Sequence, residues 1–270
     1  MILSGMLGRG SFFMMRKRIL ASNGSNIWIP IKDEPFGKIT ICMLSIIIAT
    51  VFVFLWQYLT PVSIQEQFWF SMSIIDIRPW TLVTHLFLHY PPQWGIYFAI
   101  AHIVGNMWFL FLFMNNLEEK IGYYIIPFYI IGGVFASLVF GLVFQDAYLV
   151  GASGAVSCCL GAYYMAFPNN KLTLVGVSQE NLGDIDDVED ILKLKDRIKY
   201  KTVDCKYWLG AWFTSQFALC IMMNTGVAYV AHIAGFVFGV IAVIVFKKIR
   251  LFKWLSLIIR KYGGVYHEVC

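Results

Sequence analysis

The side chain with the clearest potential for chemistry is a serine at the start of an apolar stretch. Ser153 follows Gly151 and Ala152 and precedes Gly154, in a segment that we expect to be helical. Small residues at a helix start let a neighbouring backbone approach closely, and the first turn leaves N–H groups with positive partial charge. These features suit a nucleophile whose reaction develops an oxyanion. The structural alternative is a serine that bonds back to its own helix backbone.

A second polar residue, His232, lies in an apolar stretch near the other end of the chain. Gly235 and Gly239 follow it at i+3 and i+7, which places all three residues on one helix face. The glycines allow a partner helix to approach, with the histidine directed into the contact. An imidazole among apolar residues needs a hydrogen-bond partner. A catalytic base, a proton carrier and a structural histidine therefore all remain open.

Depth in the membrane connects the serine and the histidine. We place Ser153 about five and His232 about six residues from the outer ends of their helices, roughly 8–9 Å down at about 1.5 Å per residue. A serine within reach of a histidine base is the minimum unit for nucleophilic catalysis. His102 and Asn106, at i and i+4 on another predicted helix, lie at a comparable depth and offer hydrogen-bond donors to an oxyanion.

Other candidate ligands favour structural interpretations. His85 and His89 have the spacing of metal ligands on a helix, but zinc needs three or four ligands and no third one is evident. We therefore expect both histidines to pack within their loop. The six cysteines show neither a disulfide framework nor metal-ligand spacing. The sequence predicts a site without a metal or a cofactor.

The elements that position these residues are expected to cross a membrane. Of the residues, 59% are hydrophobic and 14% are charged, whereas a soluble domain has about 25% charged residues. A span needs roughly 20 apolar residues, and the uncharged stretch 207–246 is long enough for two spans. The pattern predicts an all-α, polytopic membrane protein with six helices, at 39–59, 96–117, 122–144, 151–168, 207–224 and 227–246.

The composition divides the chain into three parts. Residues 1–38 form an N-terminal arm, 39–246 the six-helix membrane domain, and 247–270 a basic, amphipathic tail. Within the membrane domain, loop 169–206 is hydrophilic, and its part 184–201 has the spacing of an amphipathic helix. Basic residues concentrate on the cytoplasmic side of membrane proteins, and the arm, this loop and the tail hold nearly all of them. Both termini are therefore predicted to be cytoplasmic, in a plasma or inner membrane.

The net charge of +5 does not indicate a nucleic-acid partner. The basic residues lie at the ends of predicted spans rather than on the face of a soluble domain. The expected partners are the lipid bilayer and other membrane proteins.

These residues and helices together resemble the rhomboid family of intramembrane serine proteases over nearly all of 39–246. The motifs that carry the resemblance are His102-x-x-x-Asn106, Gly151-Ala152-Ser153-Gly154 and Ala231-His232-x-x-Gly235-x-x-x-Gly239, supported by Arg78-Pro79-Trp80-Thr81 and Glu118-Glu119-Lys120-Ile121-Gly122. The resemblance implies a six-helix, rhomboid-like bundle that cleaves transmembrane segments of other proteins.

The resemblance also implies a role for each matching residue. Ser153 would be the nucleophile and His232 its general base, with no acidic third member, so that packing must hold His232. The oxyanion site would combine side chains with backbone N–H groups, from His102, Asn106, Gly151 and Ala152. Structural roles would fall to Arg78, Glu118, Gly235 and Gly239.

One position departs from the family pattern. Many rhomboids have an aromatic residue four positions after the serine that stacks on the catalytic histidine, whereas this chain has Ser157. Either another aromatic residue takes that place, or His232 is less firmly oriented.

Two other functions compete with a serine endopeptidase that acts on transmembrane proteins. A catalytically silent, rhomboid-like protein that binds membrane clients would usually have lost Ser153 or His232, and both are present. A proton-coupled transporter that uses His102 and His232 as carriers should have an inverted repeat or broken mid-membrane helices. The sequence has neither feature, so the endopeptidase is the favoured hypothesis.

Overall fold

The computed structural model describes residues 26–34, 38–178, 198–222 and 228–262. The chain divides into two compact units, and each combines segments that are distant in the sequence. The first comprises Met1–Glu34 with Lys171–Val203, and the second comprises Pro35–Asn170 with Asp204–Cys270.

The first unit is built on a three-stranded sheet in the order β1-β2-β3. The strands are β1 (Asn26–Glu34), β2 (Lys171–Ser178) and β3 (Lys199–Asp204). β1 and β2 are antiparallel, with an irregularity in their register between Pro30 and Lys32. Proline has no N–H to donate to a sheet, which explains why the regular pairing is interrupted there.

This sheet corrects the all-α prediction. β1 lies in the predicted N-terminal arm, whereas β2 and β3 lie in the loop 169–206. Strands that pair across such a distance leave no periodic signal within either segment, so local patterns did not reveal them. The amphipathic helix predicted at 184–201 is wrong at residues 199–201, which belong to β3, and its residues 184–197 lie outside the described residues.

Helices make up most of the second unit. In the described part of the chain, the helices of at least 14 residues are α1 (Ile41–Leu59), α2 (Ile96–Ile121), α3 (Ile125–Val143), α4 (Ser153–Ala166), α5 (Cys205–Met222) and α6 (Tyr229–Tyr262). Each covers one of the six predicted helical segments. Three helical stretches among the described residues are long and apolar enough to cross a membrane: Ile41–Leu59, Ile96–Val143 and Tyr229–Ile249.

α6 extends well beyond its predicted end at residue 246. It continues as one helix to Tyr262. The stretch from 247 to 262 contains no glycine or proline, and its leucine, lysine and arginine residues are good helix formers. The change from apolar to basic composition therefore marks a change of surroundings and does not end the helix.

The start of α1 is fixed by side chains at the end of α2. The Glu118 carboxylate accepts hydrogen bonds from the backbone N–H groups of Cys42 and Met43, at 2.9 and 2.8 Å. Asn115 Oδ1 accepts a further one from the Thr40 N–H at 3.2 Å. A helix start has free N–H groups and a positive partial charge, so a buried carboxylate stabilises it on both counts.

α4 is the most enclosed of the long helices. Every residue from Gly154 to Tyr163 is buried. α6 packs directly against it, since a methyl group at Gly235 would collide with the carbonyl oxygen of Gly154, and one at Gly239 with the carbonyl oxygen of Cys158. This close contact between small residues replaces the hydrophobic driving force that helices lack within a bilayer.

The first loop, residues 60–95, folds into short helical turns. They are Val62–Gln65, Glu66–Phe68, Met72–Ile74, Thr81–Thr84 and Pro92–Trp94. Phe70 and Leu149 exchange two backbone hydrogen bonds, at 3.1 and 2.8 Å, and the Ser73 N–H donates to the Gln145 carbonyl at 3.1 Å. The loop is thereby attached to the segment that leads into α4.

Candidate active site

The backbone turns sharply just before Ser153. Gly151 has a φ of +124°, a conformation that side chains with a Cβ rarely adopt. Its N–H donates to the His85 carbonyl at 3.0 Å, so this N–H has a partner in the first loop. Ser153 is the first residue of α4, closer to the helix start than the predicted five residues. Free N–H groups of the first helical turn therefore lie beside its hydroxyl.

His85 supports this turn from below as a neutral imidazole. Its Nδ1 lies 2.5 Å from the Thr81 carbonyl, which can only accept, so Nδ1 carries the proton. Its Nε2 lies 2.6 Å from Ser137 Oγ, and the Ser137 hydroxyl donates to the Gly133 carbonyl at 2.8 Å. Burial lowers the pKa of His85 to about 4. The ring is therefore uncharged, and each of its two nitrogens has a polar neighbour.

His102 directs one ring nitrogen towards the serine. Its Nδ1 accepts a hydrogen bond from the Tyr90 N–H at 3.5 Å, which leaves the proton of the neutral ring on Nε2. A Cβ placed at Gly151 would lie 3.4 Å from His102 Nε2 and 3.8 Å from Ser153 Oγ. The imidazole N–H of His102 and the hydroxyl of Ser153 therefore lie beside the same point.

Asn106 lies in the same region but its amide already has partners. Nδ2 is 3.1 Å from the His102 carbonyl and 3.3 Å from His89 Nε2. The backbone of His89 is held at both ends by the Gln57 amide, through hydrogen bonds of 2.8 and 2.9 Å. Burial, followed by repulsion from His102, lowers the pKa of His89 to about 3. Asn106 thus links α2 to the first loop.

His232 lies one turn into α6, nearer to the helix start than the predicted six residues. Its Nδ1 is 2.9 Å from Oε1 of Gln216, a residue of α5. The rings of Trp212 and Tyr229 lie 6.4 and 6.1 Å from the imidazole, measured between centroids. Trp212 is tilted by 32° relative to the imidazole, so α5 supplies an aromatic neighbour to this ring.

The serine and the histidine come together through their neighbours in sequence. Ala231 packs on Gly154, because a Cβ at Gly154 would lie 4.0 Å from that of Ala231. His232 is also close enough to His102 for their charges to interact. Among the described residues, no hydrogen bond joins Ser153 to His232. The Ser157 hydroxyl donates to the Ser153 carbonyl at 2.7 Å and contacts its own helix backbone.

The four residues for which the sequence predicts structural roles make contacts away from Ser153 and His232. Gly235 and Gly239 form the contact of α6 with α4, and Glu118 binds the start of α1. Arg78 acts through its carbonyl, which accepts from the Thr81 hydroxyl at 2.7 Å. Thr81 in turn holds His85, so Arg78 belongs to the chain of contacts that ends at Gly151.

Sequence reasoning missed the side chains that orient the two histidines. Gln216 is 5% exposed and lies in a helix that has no charged residue after Lys206. That isolation was a usable signal, because polar groups within spans are costly and often functional. Tyr90 gave no such signal, since its contribution comes from a backbone N–H. The described residues contain no group of three or more His, Cys, Asp or Glu side chains that is arranged to hold a metal.

Comparison with protein-family models identifies a family. The model of the Rhomboid domain matches residues 77–249, well over half of the chain. A search of curated proteins found no match. The matched region includes the first loop from Ile77 onwards and every residue of the candidate site.

Proposed function

Because the chain belongs to the rhomboid family of membrane proteins, we propose that it is an intramembrane serine endopeptidase with Ser153 and His232 as its dyad. The observation that carries the proposal is the approach of His102 Nε2 and Ser153 Oγ to one point beside Gly151. A protein that only binds membrane clients has no need of an imidazole nitrogen and a serine hydroxyl beside the same point.

The proposed reaction begins with proton transfer from Ser153 Oγ to His232 Nε2. As the proton leaves, Oγ bonds to the carbonyl carbon of the scissile peptide, and the electron pair of the C=O bond moves onto oxygen. His232 then returns the proton to the leaving amine, and water releases the acyl group in a second, similar step. The dyad needs a Ser153–His232 hydrogen bond, and catalytic hydrogen bonds often form or tighten only when substrate is bound.

The oxyanion is proposed to form between α2 and the start of α4. His102 Nε2–H is the side-chain donor, and the N–H groups of Ala152 and Ser153 belong to the turn whose N–H groups have no partner within the helix. Asn106 is proposed as a second, weaker donor, because its N–H groups already contact His102 and His89. Gly151 contributes conformation, since its N–H is bonded to His85.

We also propose that α1 to α6 are six spans with both termini in the cytoplasm. The basic arm, the loop 169–206 and the basic end of α6 support this orientation. Ser153 then lies at the outer end of its helix. The substrates are accordingly transmembrane segments whose backbone unwinds near the outer surface, and the membrane is a plasma or inner membrane.

The decisive experiment is labelling of the purified protein with a fluorophosphonate, together with cleavage of a helical reporter in liposomes. The wild type should be labelled and active, whereas Ser153→Ala should lose both properties while remaining folded. Ser157→Ala is the matched control, because Ser157 is one turn further along the same buried helix and its hydroxyl donates to a backbone carbonyl of that helix. It should keep both labelling and cleavage.

Two results would contradict the proposal. Labelling of Ser153→Ala at the wild-type level would assign the nucleophile to another residue. A folded wild type that is neither labelled nor active would favour the silent, client-binding protein.

A further inference from the structure

Gln216 is a buried amide with a complete set of neighbours. Its Oε1 lies 2.9 Å from His232 Nδ1, and its Nε2 lies 3.3 Å from the Trp212 carbonyl and 3.2 Å from Ser215 Oγ. A glutamine within an apolar helix is costly unless its polar atoms are paired. Here each end of the amide faces a polar partner.

The neighbours determine which way round this amide lies. The Ser215 hydroxyl donates its proton to the Trp212 carbonyl at 2.6 Å. Both groups therefore present lone pairs to Gln216, and only the NH₂ end of the amide can satisfy them. In the reverse orientation, the amide oxygen would face two acceptors at close range. The carbonyl end is thus directed at His232.

This orientation decides where the imidazole carries its proton. An amide oxygen can only accept, so the Nδ1 of His232 must be the donor. A neutral imidazole has a single N–H, and its Nε2 is then left with a free lone pair. In Ser–His–Asp triads, a carboxylate on Nδ1 performs the same selection of tautomer.

We propose that Gln216 is a positioning residue that holds His232 in the Nδ1–H tautomer, with Nε2 free to accept the proton of Ser153. The inference rests on the proposed function for its catalytic meaning, although the tautomer itself is a property of the resting protein. Gln216 acts through His232 and touches neither the serine nor a substrate.

Trp212, one turn earlier on α5, is a second side chain that contacts the imidazole of His232. Its ring is a tilted neighbour of the imidazole, with 6.4 Å between centroids. The family pattern stacks an aromatic residue from the helix of the serine, at the position that Ser157 occupies here. In this chain α5 supplies both the ring and the acceptor, so the orientation of the base depends on a helix other than that of the nucleophile.

The other titratable groups near His232 are few. Among the described residues, His102 on α2 interacts with it electrostatically, and Tyr229 on its own helix contacts its ring. The described parts of α4 and α5 that pack beside His232 have no Asp or Glu. Gln216 is therefore the acceptor on Nδ1, and no carboxylate competes with it.

The direct test is ¹⁵N NMR of the histidine ring nitrogens in the full-length protein, labelled at its five histidines, at a pH at which the rings are neutral. The His232 signals are identified by their loss in His232→Asn. Protonated and unprotonated ring nitrogens have well-separated shifts. We expect wild-type His232 to be protonated at Nδ1, and Gln216→Leu to move a measurable fraction of the proton to Nε2.

Cleavage kinetics supply the second test. Gln216→Leu has a similar volume but no acceptor, and it should lower kcat by about tenfold, the worth of one hydrogen bond, with little change in KM. Gln216→Glu keeps an acceptor and should retain turnover. Its carboxylate stabilises the imidazolium, so the acidic limb of its pH–rate profile should move to higher pH. A merely structural residue would not move that limb.

Thr214→Val is the matched control on α5. Thr214 is exposed, and its hydroxyl donates to the Gly210 carbonyl of its own helix, so its loss should change neither the tautomer nor kcat. The proposal fails if wild-type His232 carries its proton on Nε2, or if the tautomer is the same in Gln216→Leu. Because NMR needs no activity, a protein that neither cleaves nor binds fluorophosphonate would overturn the proposed function and still test Gln216.

Discussion

The two histidines of the candidate site lie on different helices, and their Nδ1 atoms have opposite kinds of partner. His102 Nδ1 receives a backbone N–H from Tyr90, whereas His232 Nδ1 faces the amide oxygen of Gln216. A donor on Nδ1 leaves the proton on Nε2, and an acceptor on Nδ1 draws the proton away from Nε2. This difference supports the proposed roles, in which the same type of side chain is a hydrogen-bond donor on α2 and a base on α6.

The two surroundings also differ in how many contacts hold them. The region around His102 includes the first loop, where Gln57, His89 and Asn106 form a continuous buried network. The region around His232 relies on one amide and one indole from α5. We therefore expect a single substitution to disturb the orientation of His232 more easily than that of His102. The loss of activity that follows differs from one residue to the next.

Among the substitutions that test this difference between the two histidines, His102→Ala is expected to have the largest effect on turnover. Removing the Nε2–H donor should lower kcat by about 10²–10³, the usual loss for one oxyanion donor, and should change KM little. The measurement is reporter cleavage at saturating and limiting substrate. His102→Gln, which keeps an N–H donor, should lose less. Equal turnover in wild type and His102→Ala would remove His102 from the oxyanion site.

A smaller effect is expected on stability, through His85 beneath Gly151. Its folded pKa of about 4 lies below its usual 6.5, so between these values the unfolded chain binds a proton that the folded protein does not. Stability is then complete above pH 6.5 and falls as the pH approaches 4, by about 1.4 kcal/mol per unit, or about 3 kcal/mol in all.

The measurement is the free energy of unfolding in mixed micelles as a function of pH. His85→Gln keeps hydrogen-bonding capacity without a titratable ring, and its slope should be smaller by one proton. The pKa of His89 is also lowered, and its contribution to the pH dependence of stability should be the same in both proteins. Identical slopes would mean that His85 is accessible to protons in the folded state.

The smallest effect is expected from Asn106→Ala. Both N–H contacts of Asn106 lie within the network of His102 and His89, so it is a weaker candidate for the oxyanion. Its loss should lower kcat by about tenfold, the worth of one ordinary hydrogen bond. A loss as large as that of His102→Ala would show that Asn106 turns to the oxyanion when substrate binds.

The helices were predictable because membrane spans have a strong local signal. A continuous apolar stretch and its basic flanks are properties of one segment. Each predicted segment overlaps one of α1 to α6, although α6 continues to Tyr262, and three stretches among the described residues are long and apolar enough to cross a membrane. The family was predicted from motifs in order, and it is confirmed by the match over 77–249. The sheet was missed, because β1 and β2 are distant in sequence and neither is strongly periodic by itself.

The sequence by itself determined which residues are available for chemistry: a serine at a glycine-lined helix start, and two histidines and an asparagine in apolar surroundings. Residue types and spacing are enough for that, because isolated polar groups in spans are rare. Only the tertiary structure decided what each group can do. The Gly151 N–H is bonded to His85, the amide of Asn106 has partners, and Gln216 and Trp212 from α5 replace the aromatic residue missing at Ser157. The location of a proton on an imidazole depends on the atom opposite the other nitrogen, and that atom comes from a different segment of the chain.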